Sequence, residues 1–408
     1  MRSIKFLVFP LLFSLPINSA YAYIGRSLTS CVADTSGCES VVTAASVNPY
    51  FAGISGNWRL SKSYVYYSQR AEGDTTSLVA PRTDGTIPSF ISFWSRQNNV
   101  WSSSQDTSRW VWNSSSTLYN QRGLELENLD PLGRYNAVLY GYDNTLPIAT
   151  VKNSSYRESA FDGFEDYFFG GANCNTPCPV GRGFGVSAYT AYLDATVSHS
   201  GVYSLKVNHG DSLVFSASVV ATGDSSFSLA VNKTTGTCSS DSLLAAIKTT
   251  QQAIIPTFSP VEGRRMVVSV WVRESVNCNC TSYVNSGFSV RNGAAWYAAK
   301  PRGYLIDGWQ LFELVIDIMP GNGVFAIVFN AGNGADVNFD DLRIHPFNAA
   351  MTSFVYDPVT MKLMAQLDED NYATFYEYDE EGILIRVKKE TERGIKTIKE
   401  TRSSLLKQ

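Results

Sequence analysis

Apolar and polar positions alternate with a period of two along much of this chain, the spacing that puts successive side chains on opposite faces of a strand. Segments 61–67 and 134–142 alternate in this way, with Gly, Asn, Asp and Pro filling the gaps between runs. Strand-like runs are denser further on, at 200–207, 211–220, 226–231, 265–273, 288–290, 309–318, 324–330 and 337–344. Asn292-Gly293 and Gly321-Asn322-Gly323 supply turn chemistry between them. Many short strands separated by turns predict a β-sandwich or jelly roll over residues 160–347. A helical period is credible only at 240–250, where Asp241 stands near the start.

Three segments bracket the sandwich region. They are Phe161-Asp162-Gly163-Phe164-Glu165-Asp166, the run from Ser198-His199-Ser200-Gly201 into Tyr203-Ser204-Leu205-Lys206-Val207, and Val337-Asn338-Phe339-Asp340-Asp341-Leu342-Arg343-Ile344. Each joins an acidic or small polar turn to an alternating strand. That pattern suggests a binding module held together by a cation more than an enzyme.

Composition divides the rest. Residues 1–22 read as a secretory signal: Arg2 and Lys5, an apolar core over 6–15, then Ala20-Tyr21-Ala22. The apolar run is too short to span a bilayer, and no later stretch approaches the roughly 20 apolar residues that spanning requires. Residues 23–45 are a Ser/Thr/Gly-rich leader. Residues 46–155 hold five of the eight tryptophans and predict an irregular, aromatic-rich β domain. Its aromatics read first as core filling and only second as stacking platforms for sugar rings. Residues 351–408 carry 20 charged side chains in 58, and the mixed-charge end at 388–407 suits a solvated helix or a frayed tail.

Without residues 1–22 the chain has 31 basic and 37 acidic residues, a formal charge of −6. A mildly acidic protein with no basic stripe is a poor match for nucleic acid or an anionic membrane. Export favours disulfides for the seven cysteines. Cys31 with Cys38 and Cys174 with Cys178 are the local pairs, Cys238 reaches Cys278 or Cys280, and one thiol is left over. A zinc site built from Cys174, Cys178, Cys278 and Cys280 is the alternative, though its spacings fit poorly. Catalytic motifs are lacking: no Gly-x-Ser-x-Gly and no His-Glu-x-x-His accompany His199, His209 or His345.

In their order, the Phe-Glu of 164–165, the Ser-His-Ser-Gly turn of 198–201 and Asp340-Asp341 resemble the frame of galactose-binding-like jelly-roll carbohydrate-binding modules. Tyr356-Asp357 and Tyr378-Asp379, 22 residues apart, resemble the Tyr-Asp repeats of RHS-type bacterial surface proteins. Further strings, among them Gly56-Asn57-Trp58-Arg59 and Gly133-Arg134-Tyr135-Asn136, extend this likeness over about 46–400, to the C-terminal region of RHS-associated proteins.

The resemblance implies a structural Ca²⁺ where the first and last strands of the jelly roll meet. Glu165 and Asp341 would supply carboxylates, with Asp340 as substitute if the register differs. The turn containing Ser198 and Ser200 would add carbonyl oxygens toward the six to eight that such an ion takes. Otherwise these acids are solvated turn residues or caps for backbone amides. Trp271, Trp296 and Tyr297 are the candidate sugar contacts, although core burial suits Trp271 and depends on register. The chain thus reads as mainly β: a central jelly-roll sandwich, an aromatic-rich β domain before it, and a short Tyr-Asp-repeat-like hairpin with a charged tail after it. The expected role is exported, extracellular or cell-surface, non-catalytic glycan binding or adhesion. The alternative is a protein–protein scaffold of an RHS-associated surface system.

Overall fold

The computed structural model describes residues 59–67, 90–104, 106–120, 122–168, 184, 186–221, 228–229, 247–248, 257–276, 281–321 and 323–401. The expected signal sequence and leader, and all seven cysteines, lie outside these residues. So does the segment expected to be helical at 240–250, except for Ile247–Lys248, which is extended and pairs with Ser228–Leu229. That small ladder belongs to a unit formed by Met1–Gly56 and Ser225–Ile254; everything below concerns the other unit, Asn57–Asp224 with Ile255–Gln408. Among the described residues, no helix is long and apolar enough to cross a membrane.

The protein is mainly β, built from antiparallel sheets. A ten-stranded sheet runs in the order Lys62–Tyr66, Trp110–Tyr119, Glu125–Leu129, Tyr135–Gly141, Leu146–Lys152, Ala350–Tyr356, Leu363–Leu367, Ala373–Tyr378, Leu384–Thr391, Gly394–Glu400. The aromatic-rich segment and the C-terminal segment, far apart in sequence, are therefore halves of one sheet. They join where Met351 pairs with Val151 and Ser353 with Ala149. Period-two alternation sends one face inward: Ala137, Val151 and Met351 form a row across three strands, and Val355, Ala365 and Phe375 form another. These rows pack with Phe161 and Tyr156 in a core of their own.

Aspartates open the hairpin turns of this sheet. The carboxylate of Asp130 accepts from the amides of Leu132 and Arg134, Asp357 from Val359 and Thr360, and Asp368 from Asp370 and Tyr372. Asp379 does the same for Ile383. The Tyr-Asp pairs at 356–357 and 378–379 thus each end a strand on an acid that folds the next turn. The expected helix or frayed tail beyond 388 is instead extended through Glu400, in the last two strands of the sheet. Its mixed charges match across strands: Arg386 pairs with Glu377, which stands directly opposite, and Lys388 pairs with the same carboxylate.

Two further sheets face each other across a second core. One carries Lys300–Ile306, Trp309–Asp317, Arg265–Glu274, Val337–Pro346, Ser204–Val207 and Leu193–Asp194 in that order, with Ala160–Asp162 also paired to Val337–Pro346. The other carries Ser212–Ser218, Val324–Ala331, Ser286–Asn292 and Ala295–Ala298. Met266, Val268, Val270 and Val272 point inward from the first sheet, and rows such as Leu213, Phe329 and Phe288 meet them from the second.

The outer face of the first sheet is also covered. Trp271 there donates its indole N–H to Asn371 O at 2.9 Å, and the Arg343 guanidinium reaches Asp368 O at 2.6 Å. Both acceptors come from the C-terminal part of the ten-stranded sheet. Residues 160–347 excised alone would lose these partners and bare the outer face. We expect that fragment to bind a hydrophobic dye and melt without cooperativity, whereas the full chain retains a cooperative transition by circular dichroism.

Candidate functional site

The strand Val337–Pro346 is buried along its whole length, although half its residues are polar. Val337 and Phe339 point into the sandwich core, and so do Leu342 and Ile344. The inward series changes phase between 339 and 342. A bulge is the cause: Ser269 pairs with Arg343 and Trp271 with Asp340, so Asp341 and Leu342 together oppose Val270. Asp341 takes the extra twist with φ of +51°, a left-handed value that aspartate adopts more readily than most residues other than glycine. Two adjacent aspartates consequently end up on the same face.

The bulge also coincides with a change of neighbour. On one edge the strand pairs first with Ser204–Val207, at 337–339, and then with Ala160–Asp162, at 342–344. Residues 340–341 pair with neither strand on that edge. The turn at 198–201 and the side chain of Glu165 reach this break.

Asp340 Oδ2 accepts from the amides of His199 at 2.7 Å and Ser200 at 3.3 Å, and its Oδ1 accepts from the amide of Asp341 at 2.8 Å. Asp341 Oδ1 accepts from Ser200 Oγ at 2.8 Å, and its Oδ2 lies 2.7 Å from His199 Nδ1. The other imidazole nitrogen, Nε2, lies 3.1 Å from Glu390 Oε1, while Glu390 Oε2 accepts from the amide of Ala373 at 3.0 Å. His199 stacks on Trp271 with ring centroids 4.2 Å apart and meets Trp309 and Phe375 edge-on. Burial pushes the imidazole toward its neutral form, but Glu390 and Asp341 outweigh it and lift its pKa to about 10. His199 is thus a buried imidazolium between two carboxylates, one from each sheet system.

Glu165 completes the cluster. Its Oε1 accepts from the amides of Val202 and Tyr203 at 2.6 and 2.7 Å. Its Oε2 is buried and has no hydrogen-bond partner. Burial, together with the charges of Asp341 and Asp166, holds the Glu165 carboxyl well above the usual carboxylate range. Asp340 is likewise raised by burial and by Asp341. Beside Glu165 a cavity with room for about one water is lined by Tyr142, Gly163, Asp166 and Val355. Gly201 has φ of +70°, and a Cβ there would overlap Glu165 Oε1.

The structure therefore gathers Glu165, Ser200, Asp340, Asp341 and the turn starting at Ser198, all five residues of the expected metal set. It commits most of their atoms to protein partners. Ser198 Oγ donates to Gly201 O at 3.1 Å, and Asp340 serves three amides. Among the described residues, no group of three or more His, Cys, Asp or Glu is arranged to hold a metal ion. The one observation that fits a cation is the orphaned Glu165 Oε2, aided by the second lone pairs of the Asp341 oxygens. Serine, histidine and aspartate here do not form a nucleophile relay: the Ser200 hydroxyl donates to Asp341, and carboxylates occupy both His199 nitrogens.

The sugar-contact candidates separate. Trp271 is 1% exposed and wedged between His199 and Asn371, which removes it from any surface. Trp296, in Ala295–Ala298, is 58% exposed, with the Arg291 guanidinium 5.9 Å from its ring centroid. Tyr297 packs against the sandwich core. As neighbours in a strand they face opposite sides, so they share no platform. Sequence reasoning missed Glu390, whose partner is nearly two hundred residues away, and Asn371. Neither differs from its polar surroundings in any local pattern.

No family model and no curated protein matches the sequence. Among solved structures, the chain is similar to the CBM22-1 and GH10 modules of a Clostridium thermocellum endo-1,4-beta-D-xylanase 10B complexed with xylohexaose. That match has 17% identity and a TM-score of 0.17, over 21% of this chain and 17% of that one. A second similarity is to the enzymatically active domain of bacteriophage CBA120 tailspike protein 4. It has 14% identity and a TM-score of 0.17, over 34% of this chain and 20% of that one. The matched parts are a small share of the length of both proteins.

Removing one partner of a buried ion pair leaves the other charge uncompensated, at a cost of about 3–5 kcal/mol. His199→Ala is expected to lose about that much in urea unfolding, and Gly201→Ala to be destabilised by its clash with Glu165. Arg386→Ala, at a half-buried surface pair, should cost much less, since surface ion pairs contribute about 0–1 kcal/mol.

Proposed function

We propose that this is an exported, non-catalytic protein that binds glycans at or outside the cell surface through a jelly-roll sandwich of the carbohydrate-binding type. The observation that carries this reading is the meeting of three segments at one strand junction. Glu165, the 198–201 turn and Asp340-Asp341 arrive there in the order the module frame requires. The sugar would lie against Trp296, whose indole offers an apolar face beside the Arg291 donors.

A structural Ca²⁺ is part of this reading. Glu165 and Asp341 would hold it, with carbonyls of the 198–201 turn, and Asp340 would stay with its amides. The ion would supply positive charge where two raised carboxyl groups stand together.

The last strand, Gly394–Glu400, lies at the end of the ten-stranded sheet. A strand from another protein could add there, which favours the scaffold of an RHS-associated surface system as a second reading.

A glycan array probed with the mature protein tests the first reading. It predicts specific retention that is lost in Trp296→Ala and weakened by EDTA. EDTA should also lower Tm by several degrees; an unmoved melting curve counts against the ion. An array without signal, alongside partner capture that requires residues 394–400, would replace glycan binding with the scaffold role.

A further inference from the structure

Residues 94–103 form a hairpin whose turn fixes which side chains share a face. Asn98 and Asn99 have φ of 49° and 64°, as a two-residue type I′ turn requires. The register pairs Trp94 with Ser103 and Arg96 with Trp101. Trp94, Arg96 and Trp101 therefore project from one side. Both indoles are more than half exposed, and the Arg96 guanidinium lies 5.8 Å from the Trp101 ring centroid. Arg96 Nη2 also donates to Asn99 Oδ1 at 3.1 Å, which steadies the guanidinium over the ring.

A cluster of rings holds the base of the hairpin. Phe93 contacts Tyr64, Trp94 and Trp110 at centroid distances of 4.8, 5.2 and 5.3 Å. Trp110 donates its indole N–H to Ile91 O, and Tyr66 accepts from the Ile91 amide. The projecting indoles thus stand on a packed foundation, and presenting them to a ligand costs little ordering.

Charge distinguishes this region from the rest of the protein. Over 59–113 the sequence has six cations, among them Arg59, Lys62, Arg96 and Arg109, against four anions, a formal +2. The chain as a whole carries a formal −4. Asp106 is itself occupied by the amide and hydroxyl of Ser108.

We propose that the Trp94–Arg96–Trp101 face binds an anionic polysaccharide built from carboxylate-bearing sugars. The indoles take the apolar faces of the sugar rings, and Arg96 takes a carboxylate through its planar fork. Anionic lipid surfaces are held by clusters of about four to eight basic residues. A lone arginine between two indoles suits a single carboxylate on a ring chain better. This site is separate from the sandwich and does not depend on glycan binding there.

The test is affinity electrophoresis of the mature protein in gels containing polygalacturonate, alginate or hyaluronate, with dextran as the neutral control. Anionic phospholipid vesicles in a sedimentation assay form the membrane arm. At least one polyuronate is expected to retard the protein, and added salt should weaken the effect. Arg96→Gln, Trp94→Ala and Trp101→Ala should each reduce affinity by about ten-fold with unchanged circular dichroism, while Trp296→Ala leaves it intact. The proposal is overturned if no polyuronate binds, if the three variants bind like the parent, or if only vesicles bind. Failure of the sandwich reading would appear separately, as an unaffected Trp296→Ala in the glycan array.

Discussion

The fold depends on one buried cation. The His199 imidazolium lies between Asp341 of the sandwich and Glu390 of the ten-stranded sheet, under the indole of Trp271. Taking three charged groups out of water is expensive, and such arrangements persist only when geometry and further hydrogen bonds compensate. Here they do: Ser200 holds the second oxygen of Asp341, and the Ala373 amide holds the second oxygen of Glu390. Because its acids come from two sheet systems, the cluster fixes one against the other. The neighbouring links from Trp271 to Asn371 and from Arg343 to Asp368 act across the same boundary.

The bulge in Val337–Pro346 makes this arrangement possible. In a regular strand Asp340 and Asp341 would face opposite sides, and one would be driven into the sandwich core among Val270, Phe339 and Leu342. The left-handed residue at 341 keeps both acids on the outer face while Leu342 and Ile344 resume the inward series. The same break in pairing admits the 198–201 turn, so that backbone amides reach Asp340. An acid-rich junction is thereby produced by local backbone geometry, and it is the place where a further cation beside Glu165 would matter.

Much of this was legible in the sequence, for identifiable reasons. Period-two runs located the strands at 204–207, 265–274, 309–317, 324–331 and 337–346, because burial of one face writes that period into the residues. The three acidic segments were singled out together, and they do meet. What was not legible is long-range or depends on register. Pairing of 146–152 with 350–356 crosses nearly two hundred residues and has no local signature. Glu390 sat in a mixed-charge run that read as helix or tail, because charges matched between adjacent strands resemble charges scattered on a solvated surface. The face of Trp271 followed only once the inward series Met266, Val268, Val270 and Val272 was known. Trp296 and Tyr297 looked like a pair until strand alternation placed them on opposite sides.

A double-mutant cycle between His199 and Glu390 tests the central claim most directly. His199→Gln, Glu390→Gln and the double variant would be compared with the parent by urea unfolding. Two residues that act as one buried ion pair should be strongly coupled, each single substitution costing far more than the second adds, with an interaction energy of about 0.5–3 kcal/mol. Additive losses would mean that the imidazolium does not bind the two sheet systems together, and would contradict the account.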